Sequence, residues 1–319
     1  MAAKIWSIAI VGAGYMAEEH ARALASLPNT KIVGVCGRTR ARAEVLASIH
    51  GTKAFDSIDA MYRETRADAV VVAVNELSMP DVSASCFSHP WVCLFEKPVG
   101  VDLQVAEQIL DRGRRVGARA FVALNRRSYS STRQALRELA NDDGPRLISV
   151  LDQEDQDAAR ASGQPEEVVR NWMYANSIHL IDYFSFMARG DVVSVTHAAS
   201  WTPESPRFVA AQIRFSSGDV GVYQAVWNAP GPWSVTVTNR HVRLEMRPLE
   251  KLAIQRRGER RLTDIAPDVV DSEFKPGLRY QAEQLIGFLE GRNANLATLE
   301  EAHRSMALCA RIYGLFPQS

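Results

Sequence analysis

Gly12-Ala13-Gly14-Tyr15-Met16-Ala17 decides the fold, because it stands directly behind the apolar run Ile5–Val11 and opens the helical pattern Met16–Leu27. It has the form G-x-G-x-x-A. In such a turn the first glycine permits the tight reversal, the second lets the backbone approach a pyrophosphate, and the small third residue allows close packing of helix on strand. The helix that follows offers unbonded N–H groups and the positive end of its dipole to an anion. Glycines gather in many ordinary turns. Here the strand before and the helix after make a dinucleotide site the better reading, with Gly12, Gly14, Tyr15, Met16 and Ala17 as its cofactor residues.

Outward from that turn, β-branched apolar runs alternate with helical patterns up to about residue 125. Strands are expected at Ile5–Val11, Lys31–Cys36, Lys53–Phe55, Ala69–Val74, Trp91–Phe95 and Arg119–Leu124. Helices are expected at Met16–Leu27 before Pro28, at Arg40–His50 between Thr39 and Gly51, and at Leu103–Arg112 between Asp102 and Gly113. This alternation describes a doubly wound α/β domain with a parallel sheet over residues 1–125. A helix near Ser130–Ala140 then precedes alternating stretches at Arg146–Gln153, Val192–Trp201, Phe208–Phe215, Val220–Trp227, Trp233–Thr238 and Val242–Met246. Without long helices between them, these indicate a mostly antiparallel sheet. Helices at Leu278–Leu289 and Leu299–Tyr313 complete an α+β domain over residues 126–319, and they can pack back on the first domain. The charge run Arg256, Arg257, Glu259, Arg260, Arg261 is expected to be a solvated turn.

The composition agrees with two globular domains: 319 residues, 46% hydrophobic and 23% charged. Lys+Arg 37 balances Asp+Glu 37, so no overall field draws the molecule to nucleic acid or an anionic membrane. The longest clean apolar run, Ala69–Val74, falls far short of the roughly 20 residues needed to span a bilayer. Lys4 before Ile5–Ala13 only loosely imitates a secretory signal, since the glycine turn inside it fits a first strand better. Cys36, Cys86, Cys93 and Cys309 include no C-x-x-C, which points to reduced, buried thiols and a cytoplasmic protein. No H-E-x-x-H spacing and no G-x-S-x-G elbow occur, so neither a metal nor a serine hydrolase is expected.

Cofactor preference is written at the end of the second strand. NAD-binding versions of this turn place an acidic residue there for the ribose hydroxyls. Between Thr30 and Ala43 this chain has no Asp or Glu; it reads Cys36-Gly37-Arg38-Thr39-Arg40-Ala41-Arg42. Arginines in the first turn of a helix oppose its dipole unless an anion sits among them. A 2′-phosphate would satisfy Arg38, Arg40 and Arg42, so NADP(H) is favoured over NAD(H), with Arg38, Thr39 and Arg42 as cofactor residues and a solvated basic corner as the plain alternative.

Glu96-Lys97-Pro98 directly follows the strand Trp91–Phe95, which puts Lys97 at the carboxyl end of a parallel strand, where open α/β sheets bind ligands. Pro98 stops the strand. With this motif, the turn Gly12–Ala17, Asn125-Arg126-Arg127, the His-x-x-Asp of His179–Asp182 and the terminal helices, nearly the whole chain resembles the glucose–fructose oxidoreductase / inositol dehydrogenase / rhizopine-catabolism family. Glu96–Pro98 is the most specific of these signals. The resemblance implies a Rossmann domain followed by an α+β domain with a large sheet. It implies hydride transfer between NAD(P) and a hydroxyl or carbonyl carbon of a sugar, cyclitol or sugar nucleotide. It makes Lys97 the hydrogen-bond donor to the reacting oxygen and His179 its proton partner. It also adds Asn75, Glu96 and Lys97 to the cofactor residues, and Asn125, Arg127, Tyr129 and Asn176 to the substrate residues beside Lys97 and His179. The chemistry stands on its own terms, since hydride transfer at a carbinol carbon needs a matching proton movement at its oxygen and a histidine can supply it. A cation beside the developing alkoxide lowers the barrier.

Two departures qualify that resemblance. Ala175 stands where many members have an aspartate, and Val169-Arg170-Asn171 where they have glycines. Asn176 or Asn171 could then contact substrate hydroxyls. Arg126, Arg127 and Tyr129, just past a strand end, fit either an acidic or phosphorylated substrate or a buried salt bridge. The competing functions are a catalytically silent nucleotide- or sugar-binding regulator and a reductase of a non-carbohydrate carbonyl or imine. Glu96, Lys97 and His179 favour the oxidoreductase. A homodimer or homotetramer built on the second-domain sheet is implied by the resemblance.

Overall fold

The computed structural model of the chain describes residues 4–315. Two units are present. One comprises the chain up to Gly100, Gln104–Asn125 and Glu273–His303; the other comprises Val101–Leu103, Arg126–Ser272 and the chain from Arg304 onward.

The first unit is built on β1 (Trp6–Val11), β2 (Thr30–Cys36), β3 (Ala54–Phe55), β4 (Ala69–Val72), β5 (Val92–Phe95) and β6 (Ala120–Val122). These pair in the order β6-β5-β4-β1-β2-β3, all parallel, and a short strand at Ala297–Thr298 adds antiparallel to β6. The chain reverses its direction of sheet growth between β1 and β4, so the crevice for a ligand lies at their carboxyl ends. Val70, Val71 and Val72 are wholly buried, as strands covered on both faces require. One face packs Ala17, Ala21 and Leu24 of the helix Tyr15–Ala25 and Leu285 of the helix Leu278–Leu289.

Two sequence expectations for this unit change. The helix expected to stop at Gly113 runs Leu103–Val116. A Cβ on Gly113 would come within 3.0 Å of Leu299 Cδ1, so this glycine serves close packing, and the chain turns instead at Gly117 with φ +62°. Helices Ile58–Thr65 and Met79–Cys86 were not anticipated; the first is capped by Ser57, whose hydroxyl accepts from Ala60 N.

The second unit carries β7 (Leu147–Glu154), β8 (Val192–Ala199), β9 (Phe208–Phe215), β10 (Val220–Trp227), β11 (Ser234–Thr238), β12 (Val242–Met246), β13 (Leu252–Arg256) and β14 (Thr263–Ile265). Their order is β14-β13-β12-β11-β7-β10-β9-β8, antiparallel except for β7 with β10. Helices Ser130–Leu139 and Ile178–Met187 cover one face. The expectation of no long helices between the strands fails between β7 and β8, where Gln156–Ala161, Glu166–Arg170, a π-helical turn Met173–Ser177 and Ile178–Met187 intervene. The last is buried on nearly every side, so it shows no amphipathic stripe to read. Arg256, Arg257, Glu259, Arg260 and Arg261 are exposed where β13 turns into β14. All four cysteines are free and buried. Among the described residues no helix is long and apolar enough to cross a membrane.

Candidate functional site

In the first unit the glycine turn closes tightly over the end of β1. Gly12 has φ +115°, its N–H donates to Cys36 O at 2.8 Å, and a Cβ there would lie 2.0 Å from Ala73 O. Only glycine fits. Gly14 begins the helix Tyr15–Ala25 without any side-chain cap, and the space its Cβ would enter is open to 4 Å. A backbone left bare at a helix N-terminus is what a pyrophosphate requires. Ala17 is fully buried under the helix and Met16 packs beside it, while Tyr15 is 61% exposed with Lys275 Nζ 5.2 Å from its ring centre.

At the end of β2, the helix Arg40–Ile49 starts with no acidic residue in its first turn and no side-chain cap from Thr39. Of the three arginines there, Arg40 is spent on protein carboxylates: it donates to Glu44 at 2.7 Å and to Asp56 at 2.5 Å. Arg38 and Arg42 are exposed, and among the described residues neither side chain has a hydrogen-bond or ion-pair partner. Asn75, half-buried beyond β4, accepts from Leu77 N at 2.9 Å. These residues fit a dinucleotide.

Lys97 is the second residue past β5 and is half-buried; its peptide bond to Pro98 is cis. Glu96 is turned inward. His20 Nε2 donates to Glu96 Oε1 at 2.7 Å, and Lys97 N donates to Oε2 at 3.2 Å. Burial pushes the Glu96 carboxyl up, but the His20 hydrogen bond and the neighbouring charges of His20 and Lys97 outweigh it and hold the group below the usual carboxylate range. Glu96 thus ties the strand end to the glycine-turn helix. His20 escaped the sequence reading, although its place beside Ala17, Ala21 and Leu24 on the buried helical stripe was the available signal.

In the second unit, two adjacent arginines meet the two residues of the His-x-x-Asp segment. Arg126 Nη1 lies 3.0 Å from His179 Nε2. A guanidinium has only donors, so Nε2 is the accepting atom of this contact. Its ring is 5% exposed and stands 6.2 Å from that of Trp233, while the Arg126 guanidinium lies 5.5 Å from the Trp233 ring and 5.9 Å from that of Tyr129. Arg127 donates twice to Asp182, through Nε and Nη2, both at 2.7 Å, and Ser305 adds a third bond to Asp182 at 2.6 Å. Of the two readings of Arg127, the buried salt bridge is the one found. Ala175 and Asn176 lie in the π-helical turn, an irregularity frequent near functional sites. Asn176 Nδ2 donates to Glu154 at 2.8 Å, an internal partner the sequence did not suggest. Asn125 is buried and donates to Pro276 O at 3.2 Å.

The carboxyl ends of β1, β2, β4 and β5 thus gather every expected cofactor residue, and in the second unit Tyr129 and His179 surround Arg126. A bare glycine turn at the switch point of a parallel sheet defines a dinucleotide-binding protein. Residues 6–124 match the model of the oxidoreductase family with an NAD-binding Rossmann fold. Glucose-6-phosphate 3-dehydrogenase of Bacillus subtilis (strain 168) is 27% identical over 143 residues, 45% of this chain, a match that spans 40% of that enzyme's length. A dehydrogenase from Chromobacterium violaceum superposes with a TM-score of 0.84 at 20% identity, covering 98% of this chain and 96% of the other. UDP-N-acetylglucosamine 3-dehydrogenase from Acidithiobacillus ferrooxidans does so with a TM-score of 0.77 at 18% identity, covering 96% of each.

Proposed function

We propose that the protein is an NADP(H)-dependent oxidoreductase that moves a hydride to or from a hydroxyl or carbonyl carbon of a sugar, cyclitol or sugar nucleotide. The observation that carries this reading is the bare Gly12–Ala17 turn sharing one end of the parallel sheet with Lys97. When bound, the nicotinamide supplies or takes the hydride. Gly12 and Gly14 admit the pyrophosphate, and Arg38 and Arg42 receive the 2′-phosphate. Lys97 holds the oxygen on the reacting carbon, and His179 exchanges its proton. Nε2 of His179 already accepts from Arg126, so His179 can take the substrate proton there only when the Arg126 guanidinium gives way. Glucose 6-phosphate and UDP-N-acetylglucosamine, named for the relatives, mark the substrate class to try first.

The test is a thermal-shift screen of NADPH and NADP⁺ with sugars, sugar phosphates, cyclitols and sugar nucleotides, followed by nicotinamide absorbance on each ligand that raises the midpoint. Turnover of a panel member carries the reading. Cofactor and sugar binding without turnover on any of them would instead establish the regulatory alternative, which Ala175 favours. The homodimer or homotetramer rests on the uncovered sheet face, where Leu151, Val222 and Val226 are only half-buried and Phe208 is 59% exposed; sedimentation equilibrium decides it.

A further inference from the structure

Nothing in the proposed hydride transfer uses Asp152 and Glu154, yet both are buried on the helix-covered face of β7, at 2% and 0% exposure. They follow Ile148 and Val150 along that face, where a strand places residues two apart side by side. No cationic side chain pairs with either among the described residues. Each has one oxygen satisfied by a neutral donor: Tyr223 Oη donates to Asp152 Oδ2 at 2.6 Å, and Asn176 Nδ2 donates to Glu154 Oε2 at 2.8 Å. The remaining oxygens, Asp152 Oδ1 and Glu154 Oε1, are buried and receive no donor among the described residues.

Two ionised carboxylates are acceptors only and cannot satisfy one another. One proton between them turns two orphaned acceptors into a single short, charge-assisted O–H···O⁻ bond. We infer that Asp152 and Glu154 share one proton, and that Glu154, through Asn176, is a positioning residue for the π-helical turn that leads into His179. Burial pushes both carboxyls up, Asp152 to about 6, and the charge of Asp152 adds to the push on Glu154. The other groups facing the pair are Tyr223 on β10, Asn176 and Ser177 on the turn, and Cys309 and Tyr313 at the end of the chain. Burial holds Tyr223, Tyr313 and Cys309 in their neutral forms, so none of them supplies a countercharge. The shared proton is independent of the proposed reaction, whereas the positioning role rests on it.

Glu154→Gln tests both parts, because its amide can donate to Asp152 while its carbonyl still accepts from Asn176. Difference infrared spectroscopy at neutral pH should show the C=O stretch of a protonated carboxylic acid in the wild type, lost in Glu154→Gln. The melting midpoint of the variant minus that of the wild type should grow from about pH 5 to about pH 8, because only the wild type must retain a proton that its unfolded chain releases. No carboxylic-acid band together with a pH-independent difference would overturn the shared proton, whether or not turnover has been found. For positioning, Glu154→Ala and Asn176→Ala should each lower kcat about tenfold or more, no further when combined, and Glu154→Gln should restore it. Full kcat in Glu154→Ala, or a Gln variant as poor as the Ala variant, would overturn the positioning role alone.

Discussion

Replacing Arg38 by alanine should weaken NADPH binding and leave NADH binding unchanged. A hydrogen bond to a charged group contributes about 1.5–3 kcal/mol. Arg38 is exposed, so solvent screening puts the effect near the lower limit, about 1.5 kcal/mol or roughly a tenfold rise in the NADPH Kd. Arg42→Ala should behave alike, and the double variant should approach about a hundredfold if the two act independently. Arg40→Ala is the control inside the same turn. Its guanidinium is held by Glu44 and Asp56, so its loss should change either Kd by less than about twofold. Both cofactors can be titrated by the fluorescence of the reduced nicotinamide at low and high salt, and the Arg38 effect should shrink as salt rises. Equal loss for NADPH and NADH, or selectivity residing in Arg40 alone, would refute the 2′-phosphate site.

Four further outcomes are expected. Lys97→Ala and His179→Ala should each cut kcat by about 10²–10⁴ while NADPH binding survives, and the double variant should be little worse than the poorer single one; steady-state kinetics on the first active substrate measures this. Gly12→Ala should lose at least about 2 kcal/mol of stability in urea melts, since its Cβ would overlap Ala73 O and its φ is +115°. Gly14→Ala should fold within about 1 kcal/mol of the wild type but lose NADPH, because its methyl would enter the open space the pyrophosphate needs. Glu96 has a carboxyl held below its ordinary range, so its contribution is present above the unfolded value of about 4.3 and is lost as pH falls through the folded one. Melting midpoints should therefore separate wild type from Glu96→Gln most near neutrality and converge in acid.

The parallel strands were legible to within two residues at either end, because Ala69–Val72 and Val92–Phe95 are buried on both faces and read as unbroken apolar runs. Gly113 misled for a physical reason: a glycine that stops a helix and one that admits a neighbouring side chain look alike in sequence. The Ile178–Met187 helix was invisible as a helix, since a segment buried all round has no polar face to mark the period. Within the site, the local signals were the ones a sequence carries: a turn with its glycines, a strand end with its lysine, a His-x-x-Asp spacing. What escaped were the pairs. His20 with Glu96, Arg126 with His179 and Arg127 with Asp182 join residues separated by 76, 53 and 55 positions, and one chain read alone holds no record of who meets whom.

The consecutive arginines of the short turn Asn125–Ser128 act as a two-pronged plug whose sockets, His179 and Asp182, are set three residues apart on one helix. Inserting or deleting one residue in that turn would shift both prongs at once, leaving Asp182 buried without its countercharge and His179 without its Arg126 donor. Chimeras with relatives must therefore exchange Asn125–Ser128 and Ile178–Met187 together. A graft that carries one without the other inherits a mismatched connector in which the structural fault and the chemical fault arrive in the same step.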